Sequence, residues 1–255
     1  MEDTTQQPVK TENKGTGGGT TRFIIAGILL VGALVAGYFF FMKDSAQAPE
    51  DPTATSTVDI VLGEDRGTGP VARVNGTEIS QEEYEESVGN IAETARAQGA
   101  DLTDESVKTE IKTQALEALI NTELLVQAAA SAGIAASDEA VQTEYDGIVA
   151  QFGGQEALQA QLISYNISEE TLREDIAEQL TIQAYLDTTV DTSTITVTDE
   201  EIQEFYDSLS GTQQLPELAS IRDQIEAELQ SQKEQALVVD LLTQLRADAQ
   251  VETLV

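Results

Sequence analysis

The chain has 255 residues, with 46 acidic and 13 basic side chains, a formal net charge of −33, and no His, Cys or Trp. Without imidazole or thiol there is no Ser-His-Asp triad, no cysteine nucleophile, no disulfide framework and no zinc site of the usual nitrogen and sulfur type. So acidic a surface repels phosphates, which speaks against nucleic-acid binding, while 40% hydrophobic content is that of a folded chain rather than a disordered one.

Residues 1–22 form a short polar tail, Gly- and Thr-rich over Thr11–Thr21. Phe23–Met42 then reads FIIAGILLVGALVAGYFFFM without a charge. At about 1.5 Å rise per residue that length crosses the roughly 30 Å hydrocarbon layer, so a transmembrane helix is expected. Tyr38, Phe39, Phe40 and Phe41 close the span as an interfacial aromatic belt would. Ala46 and Ala48 form an A-x-A-like element, but the aromatic end favours a retained anchor over a cleaved leader. Lys10, Lys14 and Arg22 precede the span and only Lys43 follows it closely, so the tail is expected in the cytoplasm. The tail's three bases are balanced by Glu2, Asp3 and Glu12, so the entire negative charge falls on the far side, outside the cytoplasm at the plasma or inner membrane.

Residues 43–70, with Pro49, Pro52, Pro70 and many Gly, Thr and Ala, read as a linker, and folding is expected from Val71. Val71–Val74 alternates as a strand, Asn75-Gly76 is a tight-turn dipeptide, and Ser80 to Glu83 is a capping box that opens a helix. Helical spacing follows: 81–98 with Tyr84, Val88 and Ile91; a long helix from a Thr103 cap to Gly133; one capped by Ser137, with Tyr145 and Phe152, ending at Gly153-Gly154. A short helix covers 155–164, and another, capped by Ser168, reaches Leu186. Residues 191–197 are β-branched and read as extended. Thr198 to Glu201 is a second capping box, opening a helix with Ile202, Phe205 and Tyr206 that stops at Gly211. A last helix starts with Pro216 at its first position, and Ala249 to Leu254 forms a closing strand.

This arrangement resembles the SurA N-terminal-domain family of extracytoplasmic chaperones and foldases. The matching stretches are 71–84 (VARVNGTEISQEEY), 115–129 (ALEALINTELLVQAA), 133–141 (GIAASDEAV), 152–162 (FGGQEALQAQL), 167–176 (ISEETLREDI) and 197–207 (VTDEEIQEFYD). The resemblance implies a mostly α fold: a helical SurA-like chaperone module over 71–255, with a small strand pair joining its two ends, preceded by one transmembrane helix. In that family the 197–207 helix is commonly followed by a parvulin-type prolyl isomerase domain, whose active site uses histidines. Only nine residues, 207–215, separate Tyr206 from the last helix, and the chain has no His, so isomerase activity is not expected.

What the resemblance implies is a holdase-type chaperone that binds unfolded or newly translocated polypeptides without ATP, cofactor or metal. A prolyl isomerase and an adaptor docking the secretion translocon or another envelope partner are the alternatives. Client binding of this kind uses exposed aromatics, and the candidates are Tyr84, Tyr145, Phe152, Tyr165, Phe205 and Tyr206, with Tyr185 beside them. The competing reading of each is core filling at helical spacing; Phe152 and Tyr165, next to the Gly153-Gly154 break, are the most accessible in prospect. The carboxylate runs Glu82, Glu83, Glu85, Glu86 and Asp199, Glu200, Glu201, Glu204 read as hydrated first-turn residues that complement the helix dipole, not as a metal or acid-base site. The net charge serves either solubility, including salt adaptation, or the steering of basic client segments.

Overall fold

The computed structural model describes residues 57–63, 67–164, 167–210 and 216–255. Three short strands lie in the order β2-β1-β3: β1 (Ala72–Val74), β2 (Thr77–Ile79) and β3 (Val251–Thr253). The helices are α1 (Thr57–Leu62), α2 (Gln81–Ala97), α3 (Glu105–Ser131), α4 (Asp138–Gln151), α5 (Gln155–Ser164), α6 (Glu169–Thr189), α7 (Asp199–Ser210) and α8 (Leu218–Asp248). The expected mostly helical fold is what the described residues show. None of their helices is long and apolar enough to cross a membrane, and the span expected at Phe23–Met42 lies outside the described residues.

The expected strand pair is present and antiparallel, with Ala72 opposite Thr253 and Val74 opposite Val251. The sheet is larger than that pair, because β2 adds to the other side of β1 through a two-residue hairpin. Asn75 and Gly76 sit at φ +51° and +92°, the left-handed pair that matches the twist of a tight hairpin. Asn75 also ties the chain's ends together. Its N–H donates to the Gln250 carbonyl at 2.8 Å, its Oδ1 accepts from the Gln250 N–H at 2.8 Å, and its Nδ2 donates to Gln127 Oε1 at 2.8 Å.

The linker reading of 43–70 needs correction: α1 lies inside it, with Thr57 and Val61 buried, and packs on α2 and α3. Folding therefore begins by Thr57, not at Val71. Val58 meets α2 where Gly89 has no side chain; a Cβ there would come within 2.8 Å of Val58 Cγ2. A glycine inside a helix costs about 1 kcal/mol relative to alanine, and at this position it admits α1.

The capping residues behave as their chemistry dictates. Ser80, Ser137 and Ser168 accept from the N–H of Glu83, Ala140 and Thr171, and Glu83 closes the capping box on Ser80. Thr198 and Glu201 form the second box, 2.8 Å and 3.3 Å. Three boundaries differ from expectation. The α3 cap is Asp104, not Thr103, because the Thr103 hydroxyl and N–H are already engaged by Asp101. Asp191 caps a 3₁₀ turn, Thr192–Thr194, so 191–197 is not wholly extended. Pro216 lies two residues before Leu218, outside α8. The Gly211 stop falls outside the described residues.

Three apolar clusters hold the helices. The first joins the sheet to α1, α2 and the first half of α3 through Val61, Val71, Val74, Val88, Ile111 and Ile120. A second unites α4, α5 and the first half of α6 around Tyr145, Leu158, Leu162 and Ile176. The third packs the second halves of α3 and α6 against α8 through Leu125, Tyr185, Leu186 and Val238. Helices α3 and α6 thus each serve two clusters, which fixes the α4–α6 lobe to the sheet end. Helix α8, about 46 Å long at 1.5 Å per residue, packs its second half in the third cluster and also runs against α7.

Candidate functional site

Two regions stand out among the described residues: the helical hairpin of α7 and α8, and a set of electrostatically coupled carboxylates on α2, α3 and α6. In the hairpin, Ile202 and Ile225 are buried, while Phe205 and Tyr206 are half-buried and Leu209 is exposed on α7. The α7 face is strongly two-sided because apolar positions 202, 205, 206 and 209 recur at helical spacing. Polar ties fix the hairpin. Arg222 pairs with Asp199 and lies 3.9 Å from Glu226, and Lys233 Nζ reaches Glu201 Oε1 at 2.7 Å and the Thr196 carbonyl at 2.5 Å. Tyr206 donates its hydroxyl to the Pro216 carbonyl at 2.9 Å, which pins the aromatic ring across the α7–α8 connection. Lys233 and the Thr198 cap hold the Glu201 carboxyl below the usual range.

The coupled carboxylates come from three helices, with Glu123 on α3. Glu86 on α2 and Asp175 and Glu178 on α6 are solvent-exposed, yet protein surrounds them on several sides, and this partial desolvation raises the pKa of each. Like charges add to it: Glu82, Asp175 and Glu83 act on Glu86, Glu174 acts on Asp175, and Asp175, Glu123 and Glu83 act on Glu178. No basic group contributes to these shifts. Among the described residues no group of three or more acidic, His or Cys side chains is arranged to hold a metal ion. Within the run Glu82–Glu86, Glu83 closes the capping box of its helix, and Glu86 also feels the like charge of Asp175 on α6. That pairing is long-range, and only the acidic positions of both helices, without their juxtaposition, are visible in the sequence.

The aromatic candidates are dispersed. Tyr84 is buried in the first cluster with its hydroxyl donating to the Lys112 carbonyl at 3.3 Å. Tyr145 is buried in the second, accepts from Gln155 Nε2 at 2.6 Å, and carries the Arg173 guanidinium over its ring at 3.8 Å. Tyr185 is buried in the third. Phe152 is half-buried against the second cluster, and Tyr165 lies outside the described residues. Of the six candidates, Phe205 and Tyr206 share one exposed-sided helix; Tyr84 and Tyr145 fill cores. The exposed apolar side chains Ile163, Val239, Leu254 and Val255, which periodicity does not single out, sit on separate elements at the ends of α5, on α8 and at the C-terminus.

A model of the SurA-like N-terminal domain matches residues 54–186. The chain belongs to that family. The matched stretch begins just before α1 and ends within α6, so it takes in the helix that the sequence reading had assigned to the linker. No curated protein matches the chain. Helices α7 and α8 and strand β3 lie beyond the matched stretch, and β3 returns to pair with β1 inside it.

Proposed function

We propose that this SurA-like chain is a membrane-anchored, extracytoplasmic holdase that binds unfolded or newly translocated polypeptides without ATP. Family membership supports a chaperone-type role with polypeptide clients. The observation that carries the holdase reading is the closure of the module upon itself. Helices α7 and α8 are joined across 211–217, and Tyr206 bonds to Pro216, so the connection has no room for an inserted catalytic domain. With no histidine in the chain either, what remains is a scaffold offering surfaces. Half-buried Phe205 and Tyr206 with exposed Leu209 on α7 supply adaptable apolar contact, and the coupled carboxylates of α2 and α6 supply attraction for basic segments.

Anchoring rests on the uncharged Phe23–Met42 segment and on the basic residues that precede it. In this reading the N-terminal tail is cytoplasmic and the helical module faces the exported chain, near the translocon. Reporter fusions before Phe23 and after Val255 test the topology: activity of an exported-only reporter at the C-terminus alone is expected, and its absence there contradicts the orientation. Client breadth is tested by competition. Several unrelated unfolded peptides should displace one another from the protein, whereas saturation by a single folded envelope partner would favour an adaptor instead.

A further inference from the structure

Helix α1 has six residues, too few to hold a helix by itself in water, so its conformation is supplied by the surface on which it lies. That surface is built for it. Thr57 and Val61, one turn apart, are buried, Ile60 and Leu62 pack on the first cluster, and Gly89 opens α2 for Val58. Gly89 weakens the interior of α2 and is otherwise unexplained there, since it has an ordinary helical backbone conformation and its missing side chain matters to Val58 alone. The slot between α2 and α3 therefore accepts a segment of particular chemistry: one short turn with β-branched or leucine side chains at i, i+3 and i+4 and no charge on the inserted side.

We propose that this slot is a peptide-binding site whose resident occupant is the chain's own Thr57–Leu62, and that apolar segments of unfolded clients compete with the resident for it. The inference rests on the holdase reading and names one of its sites. Being covalently attached, the resident acts at an effective concentration on the order of millimolar, so it excludes weak ligands and yields to clients offering further contacts elsewhere on the module. The slot is thereby covered whenever no client is bound, which keeps its apolar lining from self-association.

The test uses the full chain and a labelled peptide of residues 54–63 (ATSTVDIVLG). Val61→Asp weakens the resident and leaves the slot intact. This variant should bind the peptide at least tenfold more tightly than the unaltered chain, and an unfolded client should displace the peptide. A folded Val61→Asp chain that binds no peptide, or a peptide that clients do not displace, overturns the proposal. A second variant covers loss of folding in the first. The chain has no cysteine, and an added Cβ at 89 lies 2.8 Å from Val58 Cγ2, so the Cβ atoms of Val58→Cys and Gly89→Cys fall within about 4.5 Å, the span of a disulfide. Oxidation should lower client holding at least twofold and reduction restore it; equal holding in both states overturns the proposal. The holdase reading fails separately, if the unaltered chain holds no client at all.

Discussion

Arg246, near the end of α8, grips Glu117 of α3 with both guanidinium nitrogens, the second contact at 3.0 Å, across 129 residues of sequence. The pair fastens α8 at the point where the chain turns into β3, and so aligns β3 with β1. Both side chains are about two-fifths exposed, so solvent screens the attraction, and its worth is about 1 kcal/mol or less despite the two-pronged geometry. Glu117→Gln should lower Tm by about 2–4 °C for a domain this size. Thermal unfolding of both single variants and the double variant isolates the pair; a coupling of zero would mean that β3 is placed by its strand bonds and packing alone.

Asn75 is the more consequential clamp. Replacement by alanine removes the side-chain bonds to Gln250 and Gln127 and leaves a residue with a Cβ at φ +51°. Two lost hydrogen bonds at about 1 kcal/mol each, with the loss of the amide that lets Asn tolerate the left-handed region, predict a loss of about 2–3 kcal/mol. Asn75→Gly, which relieves the backbone, should recover part of it. Denaturant unfolding measures both, and equal stabilities for the two variants would contradict the left-handed contribution.

The coupled carboxylates of α2 and α6 make stability depend on pH in a definite direction. Burial and like charge raise Glu86, Asp175 and Glu178, so the folded chain holds these protons more tightly than the unfolded chain. Their stabilising contribution is full below the ordinary carboxylate range and is lost as pH rises through the raised values. Asp101, Asp104, Glu105 and Glu201 are lowered by hydrogen bonds and by Lys108 or Lys233, and oppose this trend only at the acid end. Melting temperature should therefore rise as pH falls from neutral towards the ordinary carboxylate range. The variant Glu86→Gln, Asp175→Asn, Glu178→Gln should melt higher at pH 7 and show a flatter profile. An unchanged slope in that variant would assign the effect to the overall −33 charge instead of these three carboxylates.

Core and client aromatics should separate by function. Tyr145→Phe loses the bond from Gln155, keeps the packed ring, and should cost about 1 kcal/mol with client holding unchanged. Phe205→Ala with Tyr206→Ala, on the half-buried face of α7, should reduce aggregation suppression at least twofold while far-UV circular dichroism stays native. Equal holding by the double variant would remove α7 from the client surface.

Much of the fold was legible because local chemistry and global packing agree at the helix ends. Ser80, Ser137, Ser168 and Thr198 cap as their side chains dictate, and Gly99, Gly133 and Gly153 take the positive φ that ends their helices. The pairing of the two ends is what the family resemblance implied, and both segments are short and alternating, although β1 also takes β2 on its other side. Helix α1 was hidden because TVDIVL is β-branched, six residues long and set among Pro and Gly; only packing on α2 and α3 makes it helical. The β2 strand was also missed, although Asn75-Gly76 signals a two-residue hairpin and so a strand on each side. The coupling of Glu86 to Asp175 could not be read because about ninety positions separate them and two clusters place α6.

Holding of unfolded chains by this module unaided is the activity proposed above. Light scattering of a chemically denatured client diluted into buffer, with and without the purified 43–255 fragment and with no nucleotide, tests it most directly. Fragment at a few-fold molar excess should delay and reduce the scattering, and α7 variants should weaken the effect. Scattering unchanged at every ratio, together with no detectable complex with the unfolded client, would contradict the account.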